Sequence, residues 1–504
     1  MPEPAGVMSG SPQQDAGPPN AGFAWRFAPY AIVSLLIAIP CVWQPHIQAG
    51  DLSSHLYNAW LANLVSAGQL PGLYLAPQFT NVLFDYLLSF LMKSGSVLVA
   101  ERVAVLLAVQ VFFWGCFRLA SVVAGRPAWT AAPFLAIAAY GAVFRMGFFN
   151  FYLAVGICAC AIALVWQNLL RLRLLAIPLL AIAYTAHSIA CLWAIGVIGY
   201  VWIARRLQPS RRWWLAAIGL ACIAGSALFL ARNVASRWVP GLRIGSLLGA
   251  DQVLTYGMKY VFLGASLLCL SILLLVRRFE TSPRTTEDIA FQLLVLNAAA
   301  CLFMPDAIWL PLYSASLTYV VVRLSLLSAV LFCAVIAPVR MHVLESAISG
   351  ALLVLFFSFT YVDERALNSV EANMTQAIAT LPPGARVVAT VRDFRLFVPA
   401  LQHMIDRVCI GRCFDFADYE PATTQFRLRA RPGNPYVMNS VDDVLDLENK
   451  EYVWRRQDIE LYRLLPCQGS NQICVTVAHP GEKLVRQQLD SVPVWWKMPY
   501  GEKR

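Results

Sequence analysis

The sequence predicts an all-α polytopic membrane protein of about eleven transmembrane helices, followed by a small α/β domain. Three observations predict it. Of 504 residues, 59% are hydrophobic and only 13% are charged, whereas a soluble domain carries about 25% charged residues. Apolar runs long enough for a bilayer core of roughly 30 Å recur from Phe27 to about residue 361. Basic clusters fall between alternate runs, as the positive-inside rule requires.

Residues 1–22 are rich in Pro, Gly, Gln and Ser and read as a disordered cytoplasmic tail. No basic stretch precedes an apolar run there, so they do not read as a signal peptide. The transmembrane domain is expected over 23–361. Its first span, 28–43, lacks a small-residue cleavage site. A large first outer loop follows, 44–102, with two helices expected to lie along the membrane surface: Asp51 to Gly68, and Val82–Met92. The second is short for a span. Counting it as one would reverse the sidedness of every later Arg cluster.

The remaining spans are expected at 103–124, 129–145, 148–168, 174–186, 188–204, 213–231, 255–276, 288–304, 320–338 and 343–361. The stretch 174–204 reads either as a broken pair or as one long span. With the N-terminus inside, Arg171/Arg173, Arg205/Arg206/Arg211/Arg212, Arg277/Arg278 and Arg340 all fall on the cytoplasmic side. The Asp51 loop and everything after 361 then face outward.

The net charge of +10 belongs to the membrane part, with 21 Lys+Arg against 11 Asp+Glu up to residue 361 and 18 of each beyond it. Such an excess reflects membrane orientation and gives no reason to expect nucleic acid. The segment 362–504 has globular composition. Leu381-Pro382-Pro383-Gly384 marks a turn. Arg386–Val391, Tyr452–Leu465 and Ile473–Ala478 read as strands. Ser369–Thr380 and Phe394–Arg407 read as helices. Nine of the 13 cysteines lie in or near spans, where Cys is an ordinary small hydrophobe. The other four form close sets, Cys409/Cys413 and Cys467/Cys474. An oxidising outer compartment favours disulfides. Pairing within each set, pairing across them, and a four-thiolate zinc site all remain open.

Chemistry near a bilayer needs ionisable groups on the correct side. Asp51, His55 and Asn58 follow one another at i, i+4 and i+7, so a helix aligns them in one polar stripe. Leu52, Leu56, Ala59 and Trp60 occupy another face. Asp51 reads as a general base or cation ligand, or else as the N-cap of that helix. Asp85 and Glu101 read as outward carboxylates or interfacial anchors. Arg232, Arg237, Arg243 and Lys259 surround an outer loop where positive charge is normally sparse. A phosphate or pyrophosphate would compensate them; lipid headgroups would do so as well.

His187 lies at a span junction in Thr185-Ala186-His187-Ser188. It reads as a cavity-lining group or a locally bonded histidine. Asp306 and Trp309 share a short loop in which an aromatic beside a carboxylate suits a sugar. Trp is also common at any membrane interface. A zinc site from His46, Asp51 and His55 has no recognised spacing, so no metal site is assigned. No Walker A, HExxH, GxSxG or strand–helix GxGxxG motif is present, and nothing suggests ATP or nicotinamide.

The arrangement resembles the GT-C membrane glycosyltransferases, in particular the bacterial protein O-mannosyltransferase and aminoarabinose-transferase-like group. The residues carrying the resemblance are Gly50-Asp51 with His55 and the helix to Gly68, then Leu83-Phe84-Asp85-Tyr86-Leu87-Leu88, Gly95, and Ala100-Glu101-Arg102-Val103. It covers roughly residues 28–200. The group's acidic pair is missing, since Leu52 follows Asp51, and Thr80-Asn81-Val82 stands where a double proline is usual. The resemblance implies transfer of a hexose or pentose from a polyprenyl-phosphate-linked donor to a glycan, lipid or protein acceptor. Asp51 would be the catalytic carboxylate. His55, Asn58, Asp85, Arg102, His187, Arg232, Arg237, Arg243, Asp306 and Trp309 would be the substrate-binding candidates. It leaves a divalent cation open as cofactor. It also implies a multi-pass protein of the bacterial cytoplasmic membrane, with a periplasmic C-terminal domain and membrane lipid as a partner. Two other classes remain: a non-catalytic scaffold of a cell-surface polysaccharide machine, and a transporter of an anionic lipid-linked substrate.

Overall fold

The computed structural model describes residues 21–489, apart from 168–169, 240–242, 283, 310–315, 394, 424, 439 and 469–471. The expected tail therefore lies outside the described residues up to position 20. The helices are α1 (Ala21–Ala38), α2 (Leu52–Ser66), α3 (Leu83–Ser94), α4 (Val97–Ala124), α5 (Ala132–Ala138), α6 (Ala142–Arg145), α7 (Phe149–Trp166), α8 (Leu170–Ala186), α9 (Ser188–Ala204), α10 (Arg212–Asn233), α11 (Ile244–Leu248), α12 (Lys259–Thr281), α13 (Ile289–Phe303), α14 (Val320–Ile336), α15 (Val343–Ile378), α16 (Met404–Cys409) and α17 (Val441–Asn449). Among the described residues, five helical segments are long and apolar enough to cross a membrane: Val97–Ala124, Phe149–Trp166, Pro209–Asn233, Lys259–Thr281 and Val343–Ile378. Five shorter apolar helices accompany them, within α1, α8, α9, α13 and α14.

Local chemistry sets the ends of these helices. Ser96 caps α4 by accepting from Val99 N, and the helix stops at Gly125 in the left-handed region, φ 68°. Packing between helices relies on small residues. A Cβ on Gly115 of α4 would lie 2.2 Å from the Gly156 carbonyl of α7, so the two backbones are in direct contact there.

Helices α12 and α15 show the scale of the apolar slab. Lys259 pairs with Asp363 at one level, and Arg277 pairs with Glu345 at another. The partners are 18 residues apart along each helix, or about 27 Å at 1.5 Å per residue. That is close to the thickness of a hydrocarbon core. Both helices place their charges outside this interval and apolar residues within it.

Of the two readings of 174–204, the broken pair is the one observed, with the break at His187. Other expectations need correction. The expected span 129–145 is a 3-10 turn followed by α5 and α6. It still runs from Thr130, bonded to the Val339 carbonyl, to Arg145, paired with Glu364. The division at 361/362 falls inside α15, whose 36 residues also absorb most of the helix expected over Ser369–Thr380. The helix expected from Phe394 to Arg407 is reduced to α16; Phe394 itself lies outside the described residues. Pro399 disfavours the helical conformation in the residue before it.

The C-terminal region carries a four-stranded mixed sheet in the order β10-β9-β4-β6, formed by Ile473–Ala478, Leu461–Pro466, Ala385–Ala389 and Cys413–Asp415. Strand β9 runs parallel to β4, which runs parallel to β6, while β10 closes antiparallel on β9. The expected strand Tyr452–Leu465 is two strands, Tyr452–Val453 (β8) and β9. The Cys409–Cys413 and Cys467–Cys474 pairs are disulfide-bonded, with Cα separations of 4.6 and 5.1 Å.

The first loop and this region are interwoven. Leu73–Leu75 (β1) pairs with Leu428–Ala430 (β7). Helix α2 is therefore not a surface helix. Leu52 to Ala59 is buried throughout, enclosed by α3 and the C-terminal region.

Candidate functional site

The start of α2 is anchored by backbone contacts. Gly50 N donates to the Arg145 carbonyl at 2.7 Å, and Asp51 N donates to the Met146 carbonyl at 2.9 Å. The chain between α6 and α7 must come close for this. Gly147 makes it possible, with φ +89° and no room for a Cβ, which would lie 2.6 Å from Asp51 N.

This arrangement leaves the Asp51 side chain uncommitted. Asp51 is the N-cap residue of α2, yet its carboxylate makes no cap hydrogen bond. The capping expectation is thus not met. The carboxylate is a quarter exposed. His403 Nε2 lies 3.8 Å from its Oδ1. Arg323, at the start of α14, adds a positive charge nearby, and Tyr319 and Tyr419 line the same space. Burial pushes the Asp51 carboxyl above the ordinary carboxylate range; His403, His55 and Arg323 pull it back. Tyr319 has φ +57°, and apart from Asn81 no other described non-glycine residue has a positive φ. Such strain in a bulky residue concentrates at functional sites. The Arg323 guanidinium sits 4.2 Å from the Phe148 ring centroid and donates to the Thr318 carbonyl. Its Nε has no partner.

His403 belongs to the turn that enters α16. Its ring packs on Tyr419, centroids 4.8 Å apart, and its Nδ1 lies 3.6 Å from Asp406 Oδ2. Burial holds this imidazole below its ordinary value, against the opposing pull of Asp51 and Glu448. One turn later, Arg407 fastens α16. It bonds Glu371 through Nε and NH2 at 2.7 and 2.6 Å, Glu101 at 3.2 Å and the Ile47 carbonyl at 3.0 Å.

The polar stripe of α2 faces a row of acids in the C-terminal region. Ser54 Oγ donates to Glu420 at 3.2 Å, and Asn58 donates to Asp418 at 3.1 Å. Asp415 N donates to the Tyr57 hydroxyl at 3.0 Å. His55 Nδ1 lies 2.9 Å from Asp85 and 3.6 Å from Glu420, as an ion pair without hydrogen-bond alignment. Burial works against the charged form of His55, but Asp85 and Glu420 outweigh it and raise its pKa to about 9. Asp406, Asp415, Asp418 and Glu420 are all buried, and burial raises all four; neighbouring carboxylates add to the rise of Asp406, Asp418 and Glu420, Asp418 reaching about 8, while the Asp406 hydrogen bond pulls Asp415 back. Adjacent carboxyls that cannot all ionise hold protons between them.

The sequence candidates therefore separate. Asp51, His55, Asn58 and Asp85 converge on this seam. Arg102 does not; it ties the Gln44 and Pro45 carbonyls. His187 stacks edge-on against Phe151, and burial pushes it down to about 3. Arg243 closes the end of α13 through the Cys301 and Met304 carbonyls, and Lys259 is taken by Asp363. Arg232 and Arg237 are exposed, with Arg237 in a short strand against Ala307. Asp306 bonds the same strand through its backbone, and Trp309 is exposed; their loop at 310–315 lies outside the described residues. The four cations thus form no common anion cradle. His46 faces Glu101 rather than Asp51 or His55. Among the described residues, no group of three or more His, Cys, Asp or Glu is arranged to hold a metal ion.

Sequence reasoning missed His403, Tyr319, Tyr419 and the acids of the C-terminal region. The run Phe414-Asp415-Phe416-Ala417-Asp418-Tyr419-Glu420, three acids among aromatics just after a cysteine pair, was the available signal. A cavity of about 270 Å³ opens elsewhere, between α12 and α15, lined by Phe262, Leu352, Phe359 and the already paired Lys259. Its walls suit lipid rather than chemistry. The chain matches no protein-family model, no curated protein and no solved structure.

Proposed function

We propose that the chain is a membrane glycosyltransferase of the GT-C kind, moving a sugar from a polyprenyl-phosphate donor to an acceptor at the outer face of the membrane. One observation carries the reading. Asp51 is a carboxylate at a helix start that makes no hydrogen bond among the described residues, lies 3.8 Å from His403 Nε2, and opens toward Arg323 and two tyrosines. A structural aspartate would be capped or hydrogen-bonded; an available one can take a proton from a hydroxyl. In the reaction, the acceptor oxygen bonds to the anomeric carbon as the bond from that carbon to the phosphate oxygen breaks. The acceptor's proton goes to Asp51, and the departing phosphate faces Arg323.

The reading takes eleven crossings with an inside N-terminus. Contacts join alternate helix ends at two levels. Trp43–Glu364, His46–Glu101, Arg145–Glu364 and Lys259–Asp363 mark one. Arg126 to the Ala337 carbonyl, Arg205 to the Trp166 carbonyl, Arg212 to the Glu287 carbonyl and Arg277–Glu345 mark the other. Arginines dominate the second level, as expected for a cytoplasmic side. The transporter reading predicts unpaired charge within the slab. Arg145 and Lys259 are instead ion-paired, with Glu364 and Asp363.

The test is transfer of labelled sugar from a panel of polyprenyl-phosphate donors, in membranes carrying wild type or Asp51→Asn at matched expression. Transfer by wild type that falls at least about 100-fold in the variant supports the reading. Equal transfer by both removes Asp51 from the mechanism. No transfer from any donor favours the scaffold class.

A further inference from the structure

The one imidazole facing Asp51 at close range is itself held between carboxyls on both sides. Its Nε2 points to Asp51 Oδ1 at 3.8 Å and its Nδ1 to Asp406 Oδ2 at 3.6 Å. We propose that His403 is the positioning partner of Asp51: its Nε2–H faces the Asp51 carboxylate and holds it in the charged, proton-accepting form, while the Asp406–Asp415 carboxyl pair behind the ring fixes that tautomer. This inference rests on the reading of Asp51 as the base.

The argument begins with the protons. Asp406 and Asp415 are both buried, their carboxyls adjoin, and the Asp406 oxygens have no hydrogen-bond partner of fixed identity. Two such carboxyls share a proton, because both cannot ionise together. When that single proton sits on the Asp406 oxygen facing the ring, 3.6 Å from Nδ1, Asp406 donates toward Nδ1 and Asp415 is the ionised member of the pair. The neutral imidazole then carries its hydrogen on Nε2, on the Asp51 side. Tyr419 fixes the plane of the ring from one face. Both separations slightly exceed a direct hydrogen bond. A small rotation of the ring or one bridging water closes each, and catalytic contacts often tighten only when substrate is bound.

Every element packed around the imidazole contributes a group to this balance. Asp51 comes from the start of α2, Asp406 from α16, Asp415 from β6, Tyr419 from the following loop, Glu448 from α17 and Arg486 from the stretch after β10. Among these, only Asp51 lies at Nε2 within ion-pair distance. Arg407, one turn along, holds α16 so that this face of His403 cannot drift.

The experiment is an infrared pH titration of carboxyl bands in the full-length protein in lipid nanodiscs, with wild type, Asp51→Asn, His403→Ala and His403→Gln. The band absent from Asp51→Asn reports Asp51. Its midpoint should rise by about one pH unit in His403→Ala and return toward wild type in His403→Gln, whose amide can donate again. An unmoved midpoint in His403→Ala overturns the assignment. Nitrogen NMR of the wild-type ring is a second measure that needs no variant: a proton on Nε2 supports the proposal and a proton on Nδ1 contradicts it. Neither reading requires turnover. A shifted midpoint without sugar transfer keeps the His403–Asp51 pair and removes the transferase; transfer with an unmoved midpoint does the reverse.

Discussion

His403 and Arg407 lie one turn apart on the same short helix segment and serve opposite ends. Arg407 reaches into the seam and meets two buried carboxylates and a carbonyl at hydrogen-bond distance. Both carboxylates there are bonded in place, so the cluster can only hold. His403 faces Asp51 and Asp406 at distances just beyond a bond, and the Asp51 carboxylate is left available. Paired charges fasten α16 and the C-terminal region to α4 and α15, and that fastening lets unpaired charges be kept a few ångströms away. The same division runs through the membrane helices, where Arg145 and Lys259 are ion-paired with Glu364 and Asp363 and Arg323 has no carboxylate of the described residues within ion-pair distance.

Breaking the fastened side should have the largest effect on stability. Arg407→Met leaves Glu101 and Glu371 buried without a cation, which costs on the order of 3–5 kcal/mol. Chemical denaturation of the purified protein measures it. Next comes the corner between α6 and α7. Gly147→Ala places a methyl against Asp51 N in a backbone region that alanine avoids, at a cost of about 1–3 kcal/mol. Because it pushes on Asp51, sugar transfer should fall further than stability does.

The acid row sharpens the comparison through pH. Asp406, Asp415, Asp418 and Glu420 have raised folded pKa values, Asp418 about 8. Where the unfolded chain has already lost those protons, the folded state binds more, and stability falls as pH rises. His55, raised to about 9, acts the same way above its ordinary 6.5. His187 and His403 are lowered and oppose this trend, but only below about 6.5, where their unfolded forms take up protons. Thermal midpoints should therefore decline between about pH 6.5 and 9. Asn58→Ala, which removes a donor to Asp418, should leave that decline in place.

How much of this was legible in the sequence differs between the two regions. The helical part was in outline, because its information is local: apolar length and the i, i+4, i+7 stripe can both be read along the chain. Even there, 129–145 was read as one helix, since the break around Gly141 is set by contact with Gln252, 111 residues away. The stripe of α2 was legible as needing a polar neighbour. That the neighbour is Asp415–Glu420 was not, because it depends on pairing across some 360 residues. Two of the four cations near α10 and α12, Arg243 and Lys259, misled for the same reason. Their charge is visible in sequence, but the carbonyls and Asp363 that absorb it are not. Asp51 was noticed at once, yet only the geometry separates a cap from an available carboxylate.

The most direct measurement is therefore the stability of Asp51→Asn set beside its transfer activity, with Arg407→Met as the contrasting variant. Losing an N-cap hydrogen bond costs about 1 kcal/mol, whereas a side chain that makes no such bond should cost within about 0.5 kcal/mol. The account predicts unchanged unfolding and lost transfer for Asp51→Asn, against lost stability for Arg407→Met. A drop in Asp51→Asn stability that fully accounts for its loss of transfer would contradict it, and would return Asp51 to the structural side of the seam.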